Sequence, residues 1–420
     1  MKKIVSLIAA FTMLFAGAAC NNGKKPKELV TIGEPIVVAQ GPNYDDVGWG
    51  PFQFPEAYIT DDSKIVVFVN TGYDVTSDYE KPKQFFISSD DGETWTEAGQ
   101  DFSVGMGYTG AKMSNGKNFA GFKPKNAYDS TFLNNYTAKV SSGWQFLYLA
   151  DEIPEFSNQI VGREYDPQTK TINEFTATVN WPYMPVNQLN GKCMPLDAYF
   201  GLMPLNNIMQ LSDGKLIAVM YCNGFNSETG ELVTSGVYSN IYFFTSEDCG
   251  RTWDYYSQIL ATEKFVMSGG EGFDEPSMLK RADGSYVILM RTGSGKPSYI
   301  ARSVDSCKTW SEPVVFDDIG VYPQMLALNC GVTFASYGRP GVYLRWTEDE
   351  SALVWNEPIS LGINNDVKDM LKATCGYTSL VALDDNTALV FYTDFNYPSL
   401  TDGSKTVKTL LVRKITVNKN

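Results

Sequence analysis

The sequence predicts an all-β chain built from repeated four-stranded antiparallel units. Three observations carry this. An octet of the form S-x-D-x-G-x-T-W fills residues 88–95 and returns at 246–253; it recurs in altered form at 303–310, where Cys307 replaces the glycine. Each copy follows a β-rich run, at 84–87, 241–244 and 299–301. Around these copies an apolar run, a turn rich in Asp and Gly, and a second apolar run recur along the chain, a self-similarity that marks a repeat architecture. With 24 Tyr, 24 Phe and 36 Gly, the composition suits strands and turns, and no helical periodicity exceeds two turns.

The octet reads as a hairpin turn. Its Asp bonds backbone amides two residues on, its Gly supplies positive φ, and its Trp covers the sheet behind. The second element places blade one at 55–62 and 65–69, blade three at 207–214 and 216–221, and blade four at 276–284 and 286–290. Blade five follows at 323–331 and 332–336, and blade six at 378–385 and 388–392. A weaker copy, with its turn at 110–117 and a later strand at 144–149, makes blade two. Four strands per unit and six units describe a six-bladed β-propeller. The stretch 29–40 is expected to pair with the last blade and close the ring, which would leave no open edge.

Composition narrows function. A formal charge of −14, or −16 once Lys2 and Lys3 are removed with a leader, argues against nucleic acid and anionic membrane as partners. The chain has no histidine, which removes Ser-His-Asp and Cys-His catalysis and the usual imidazole metal sites. No metal or cofactor is expected, so chemistry falls to carboxylates, Tyr, Lys and Arg. Residues 1–19 read as a leader, with Lys2 and Lys3 before a short apolar stretch and small residues at 17–19. They resemble a bacterial lipoprotein signal, although Gly17 stands where an aliphatic residue is usual. Cys20 would then carry the lipid, 20–28 form a polar tether, and 29–420 a single domain. The expected location is the cell envelope, as an outer-membrane lipoprotein, periplasmic or surface-exposed, touching membrane through its anchor alone and acting as a monomer. The six remaining cysteines, Cys193, Cys222, Cys249, Cys307, Cys330 and Cys375, allow 15 disulfide pairings, and free thiols are the competing reading.

The internal alignment also gathers polar residues. Indexed on Pro55 and Pro276, Gln53 lies two before that position, Glu275 one before it and Tyr377 at it. Residues at the starts of innermost strands converge on one end of a propeller's axis.

With those residues in place, the chain resembles the sialidase superfamily, and its octet resembles that superfamily's Asp-box. The resemblance rests on Glu275 and Arg291, sixteen apart, on Arg339 within Gly338-Arg339-Pro340, on Tyr377 in the last blade, and on Asp78 ten residues before the first octet. It implies an exo-acting, retaining glycoside hydrolase that releases a terminal acidic sugar, sialic acid or a related 2-keto sugar acid, from glycans. Tyr377 would be the nucleophile and Glu275 its base, an exception to the two-carboxylate scheme. Arg291 and Arg339 would clamp the substrate carboxylate, and Asp78 would protonate the leaving oxygen, with Asp74 in reserve.

One departure bears on the substrate. The superfamily's first arginine falls at Gln53, a neutral side chain. Lys64 and Arg345 are the candidates to replace its charge. Trp49, Phe52 and Phe54 beside it, with Trp181 and Tyr183 further on, are candidates for stacking on sugar faces. Gln53 keeps two rivals open: a propeller hydrolase for another exo-linked sugar, such as a uronic acid or arabinose, and a glycan-binding lipoprotein without turnover. Arg291 could equally pair with Glu275 for structure, and Arg339 could simply order its loop.

Overall fold

The computed structural model describes residues 28–419 apart from 45–47, 75–77, 79–80, 100–110, 124–127, 143–144, 154–155, 157, 190, 196–206, 224, 232–237, 263, 266–269, 364–367 and 369. The expected leader, Cys20 and most of the tether lie outside the described residues.

The protein is all-β. Three sheets have the expected four antiparallel strands. The first runs Glu56–Ile59, Ile65–Val69, Gln84–Ser88, Thr96–Ala98. The second runs Asp274–Lys280, Tyr286–Arg291, Ser298–Ser303, Val314–Asp317, and the third Val321–Ala327, Thr333–Gly338, Val342–Thr347, Ile359–Ser360. The C-terminal sheet joins Thr378–Ala382, Thr387–Pro398 and Thr406–Val417 to both N-terminal strands, Val30–Ile32 and Ile36–Tyr44. The pairing expected of 29–40 is therefore present.

Two features depart from six separate four-stranded blades. Ile208–Gln210, Leu216–Asn223, Ser239–Ser246 and Thr252–Ile259 share one eight-stranded sheet with Thr171–Asn180, Gln159–Asp166, Asn118–Lys123 and Ala111–Lys112. The two halves join through a parallel contact, Val179 opposite Trp253, so two outer strands satisfy each other instead of exposing edges. The strand expected at 144–149 is also misplaced by the repeat reading. Gln145–Leu149 belongs to an extra five-stranded sheet with Val140–Ser142, Tyr183–Leu189, Lys192–Met194 and Tyr128–Asp129, built from segments on both sides of the hairpin 159–180.

Middle strands are buried on both faces, and their alternation shows what lies on each side. In Tyr286–Arg291, Tyr286, Ile288 and Met290 join the large core of the eight-stranded sheet, while Val287 and Leu289 pack with Met325, Ala335 and Tyr337 of the next sheet. Phe334 and Leu344 then pack on Val390 and Leu411, and Phe391 and Val412 on Val67 and Phe86. The Tyr165 hydroxyl donates to Asp61 Oδ2 at 2.7 Å, linking the first sheet to the eight-stranded one. This cyclic stacking is β-propeller-like.

The octets form turns, with the Asp reaching the amide four residues on and not two, because the serine at the turn's start takes the amide of the glycine. Ser88 and Ser246 accept the amides of Gly92 and Gly250, and Asp90 and Asp248 accept those of Thr94 and Thr252. Trp95 and Trp253 donate Nε1–H to the carbonyls of Gly92 and Gly250, at 3.0 and 2.9 Å. The altered copy keeps the Ser303 and Asp305 bonds, but the Cys307 carbonyl accepts from Ser257 Oγ at 2.5 Å and the buried Trp310 Nε1 has no partner among the described residues. A further turn of this type, missed in the sequence, spans 347–355: Asp349 gathers the amides of Ser351, Leu353 and Val354, and Trp355 Nε1 donates to Ala352 O at 2.8 Å.

The first strands of neighbouring sheets are laced together. Ala57 N–H donates to Ser379 Oγ at 2.9 Å, Met325 N–H to Ser277 Oγ at 3.0 Å, and Met278 N–H to Asn207 Oδ1 at 3.0 Å. Their starting ends are thereby held side by side. The six cysteines among the described residues are unpaired.

Candidate active site

Each of four adjacent strands is entered through a residue of positive φ: Phe54 (58°) before Pro55, Glu275 (38°) before Pro276, Tyr322 (45°) before Pro323, and Gly376 (74°) before Tyr377. Non-glycine residues rarely hold such values, and they concentrate where a side chain must be aimed. Register breaks follow in two of these strands, between Asp274 and Ser277 and between Val321 and Gln324, as expected of bulges that redirect side chains. At Gly376 a Cβ would lie 2.7 Å from that of Arg339, so only glycine lets the two segments meet.

These entries bring Tyr377 and Glu275 together. The Tyr377 hydroxyl donates to Glu275 Oε1, and Arg291 Nη1 donates to Glu275 Oε2 at 2.6 Å. The sixteen-residue spacing is a hairpin that returns Arg291 opposite Asp274. Burial pushes the Tyr377 hydroxyl well above the ordinary tyrosine value, and the Glu275 charge adds to this against the opposing Arg291 and Arg339. Tyr377 is therefore a neutral phenol at rest, with its hydroxyl proton directed at Glu275.

Arg291 is 7% exposed and surrounded by acids. Besides Glu275, Nη2 meets Glu271 at 2.8 Å and Nε faces Asp274 at 3.7 Å. Burial pushes the Asp274 carboxyl well up; Arg291 opposes this while Glu271 and Glu275 reinforce it. Arg339, 4% exposed, donates Nε and Nη2 to the Cys375 carbonyl and Nη1 to Ser294 Oγ. Its guanidinium lies 4.5 Å over the Trp49 ring and 5.4 Å from the Tyr377 ring. Among the described residues no carboxylate pairs with it.

Gln53 is fully buried, and neither atom of its amide has a hydrogen-bond partner among the described residues. Its backbone is fixed by Asn70, whose Oδ1 accepts the Gln53 N–H at 2.9 Å. On its C-terminal side Phe54 packs 4.7 Å from Tyr377 and 5.1 Å from Trp49; on the other, Phe52 packs in the core against Phe86. Neither proposed substitute cation serves this place. Lys64 pairs with Asp62 in a surface turn, and Arg345 is bonded to the Phe316 and Asn356 carbonyls near Asp317. Buried Lys408 instead holds the loop, donating to Pro51 O at 3.1 Å. Trp181 is packed among Phe225, Tyr242 and Phe244, with Tyr183 beside it, away from these groups.

Asp78 Oδ2 accepts the Lys81 ammonium and the Tyr73 amide, both at 2.8 Å, and Asp74 is exposed on the same loop. Two residues absent from the sequence reading complete the cluster. The Tyr322 ring stacks on Tyr377, centroids 4.1 Å apart and planes within 6°, and its hydroxyl donates to Glu56 Oε1 at 3.1 Å. The signal for Tyr322 was the Tyr322-Pro323 pair, which repeats the register of Phe54-Pro55 and Glu275-Pro276.

The family described as the BNR repeat-like domain matches residues 195–408, which hold Glu275, Arg291, Arg339 and Tyr377. The chain belongs to that family. This BNR repeat-like protein matches no curated protein in sequence. Among solved structures, a protein of unknown function from Dyadobacter fermentans is similar with a TM-score of 0.50 at 18% identity, over 93% of this chain and 100% of the other. The NanB sialidase of Streptococcus pneumoniae aligns with a TM-score of 0.46 at 15% identity, over 91% and 70%. The α-L-arabinofuranosidase Arb93A of Fusarium graminearum aligns with a TM-score of 0.45 at 15% identity, over 92% and 98%. At these identities the first likeness speaks for the fold of a BNR repeat-like protein and not for its substrate.

Proposed function

We propose that this BNR repeat-like protein is an exo-acting, retaining glycoside hydrolase with Tyr377 as nucleophile and Glu275 as its base. The hydrogen bond from the Tyr377 hydroxyl to Glu275 carries the reading. A buried phenol is a poor nucleophile until a base takes its proton, and Glu275 is held for that task by Arg291. The proposed substrate is a glycan ending in an acidic sugar, sialic acid or a related 2-keto sugar acid. Arg339 supports this, since its guanidinium has no carboxylate partner among the described residues. In the proposed setting a lipid on Cys20 holds the monomer on the bacterial envelope.

Gln53 favours a second reading of the substrate. Arg291 is already engaged by three acids, and a substrate carboxylate would compete with them for it. Gln53 brings an uncharged amide that pairs with a hydroxyl or carbonyl better than with an anion. A neutral sugar such as arabinose, or a uronic acid, whose carboxylate lies away from the anomeric carbon, then suits the site. Fluorogenic glycosides of sialic acid, uronic acids and arabinose, given to wild type and Tyr377→Phe, test both readings. Release by wild type alone identifies the sugar and the hydrolase together. If the wild type binds glycans but hydrolyses none, the protein is a binding module and the hydrolase reading fails.

A further inference from the structure

The hydrolase reading leaves one role without a well-placed group. Departure of a sugar oxygen requires an acid that carries a proton at rest. Asp78 Oδ2 is taken up by the Lys81 ammonium at 2.8 Å and by the Tyr73 amide. Asp74 is exposed.

Glu56 is placed differently. It opens the strand Glu56–Ile59, and the bond from Ala57 N–H to Ser379 Oγ sets it abreast of the strand that follows Tyr377. Its Oε1 accepts the Tyr322 hydroxyl, and Tyr322 lies flat on the nucleophile's ring. The tyrosine stack thus carries a glutamate at each hydroxyl, Glu275 on Tyr377 and Glu56 on Tyr322. We infer that Glu56 is the acid and base of the reaction, working opposite the Tyr377–Glu275 pair, and that Tyr322 is its positioning residue. This rests on the hydrolase reading.

With Oε1 taken by Tyr322, the proton sits on Oε2. Burial pushes the Glu56 carboxyl up, against the Lys83 charge and the Tyr322 bond, which favours a protonated acid at rest. In the first step the glycosidic bond breaks, its electron pair goes to the leaving oxygen, and that oxygen takes the Glu56 proton. The Tyr377 oxygen bonds the anomeric carbon as its own proton passes to Glu275. In the second step water gives a proton to Glu56 and its oxygen to the anomeric carbon, and Tyr377 leaves and recovers its proton from Glu275. The sum is the addition of one water.

The test compares two leaving groups on whichever sugar the wild type releases: a second sugar, which needs protonation, and 2,4-dinitrophenol, which does not. For Glu56→Gln, kcat/KM on the sugar–sugar bond is expected to fall about 10²- to 10⁴-fold, the usual worth of a general acid, with less than tenfold loss on the dinitrophenyl glycoside. Tyr322→Phe keeps the ring stack and removes a bond to the charged form of Glu56. It should move the basic limb of the kcat/KM profile upward by about one pH unit. An equal loss on both substrates by a folded Glu56→Gln, or an unmoved limb in Tyr322→Phe, would overturn the assignment and leave the hydrolase standing. The same holds if the leaving-group split appears in Asp78→Asn instead. A wild type silent on every glycoside would overturn both.

Discussion

The rings of Tyr322 and Tyr377 lie parallel, 4.1 Å apart, while their hydroxyls turn to different glutamates. One ring therefore fixes the plane of the other. Phe54 meets Tyr377 at a tilt with centroids 4.7 Å apart, so aromatic packing and one hydrogen bond together orient the proposed nucleophile. Such preorganisation is what lets a weak nucleophile act at a defined carbon.

Tyr377→Phe should keep the stack and the fold while removing the oxygen that would bond the sugar. Turnover should fall at least about 10³-fold, with glycan affinity changed little. Glu275→Gln should lower kcat by about 10²- to 10⁴-fold through loss of the base. Steady-state kinetics beside binding calorimetry check both. Parallel loss of binding would show the pair to be structural.

Arg291→Met should leave Glu271, Asp274 and Glu275 without their shared cation, at a cost of about 3–5 kcal/mol. The penalty should depend on pH. Burial already pushes the Asp274 carboxyl up, and without the guanidinium that opposes this its folded-state pKa rises further above its unfolded value. The stability that Asp274 contributes as a raised acid is full below its unfolded value near 3.9 and lost as pH rises. Denaturant midpoints at pH 4 and pH 8 should show the variant close to wild type at the first and far below it at the second.

Gln53→Arg should convert the site toward anionic sugars. If sialosides are already cleaved, kcat/KM for them should rise; if a neutral sugar is the substrate, its KM should rise and affinity for free sugar acids should appear. One charged hydrogen bond contributes about 1.5–3 kcal/mol, or roughly 10- to 150-fold. An unchanged ranking of sugars would show that residue 53 does not face the substrate.

Trp253 and Trp310 offer a matched comparison. Trp253 donates to Gly250 O, whereas Trp310 Nε1 has no acceptor among the described residues and the Cys307 carbonyl accepts from Ser257 instead. Both Trp→Phe changes remove similar volume. Trp253→Phe should cost about 1 kcal/mol more, the net worth of a hydrogen bond, measured by urea unfolding.

The octets should make the fold acid-sensitive. Bonds from the Thr94 hydroxyl and amide, with Ser88, push Asp90 down to about 2. Burial opposes ionisation at Asp248 and Asp305, but the Thr252 and Thr309 bonds outweigh it, so both are lowered. Lowered acids contribute stability that is present above their unfolded value near 3.9 and lost as pH falls toward 2. Asp90→Asn should flatten the slope of stability against pH in that range, read by urea titration.

Legibility in the sequence followed the repeats. Glu275 and Arg291 could be placed because a single hairpin separates them, and Tyr377 because its register matches Pro55 and Pro276. Tyr322 stands in the same register, but an aromatic before proline reads as packing until its hydroxyl is seen on Glu56. The turn at 347–355 escaped because Thr347 replaces serine, Ala352 replaces glycine, and one extra residue precedes Trp355. The extra sheet escaped for a different reason. Its strands come from both sides of the hairpin 159–180, and no local pattern shows which distant segment a strand will choose.

The seam in the C-terminal sheet sets when this protein can become whole. Val30 pairs with Val417, and Asn418 N–H donates to Leu29 O at 2.7 Å, so the first described strand finds its partner only in the last. During synthesis Val30–Ile32 must wait, exposed, until the strand Thr406–Val417 has emerged. Closing so long a loop is slow and leaves edges open to other chains meanwhile. Loss of Thr406–Val417 would therefore strand Val30–Ile32, Ile36–Tyr44 and Thr387–Pro398 at once.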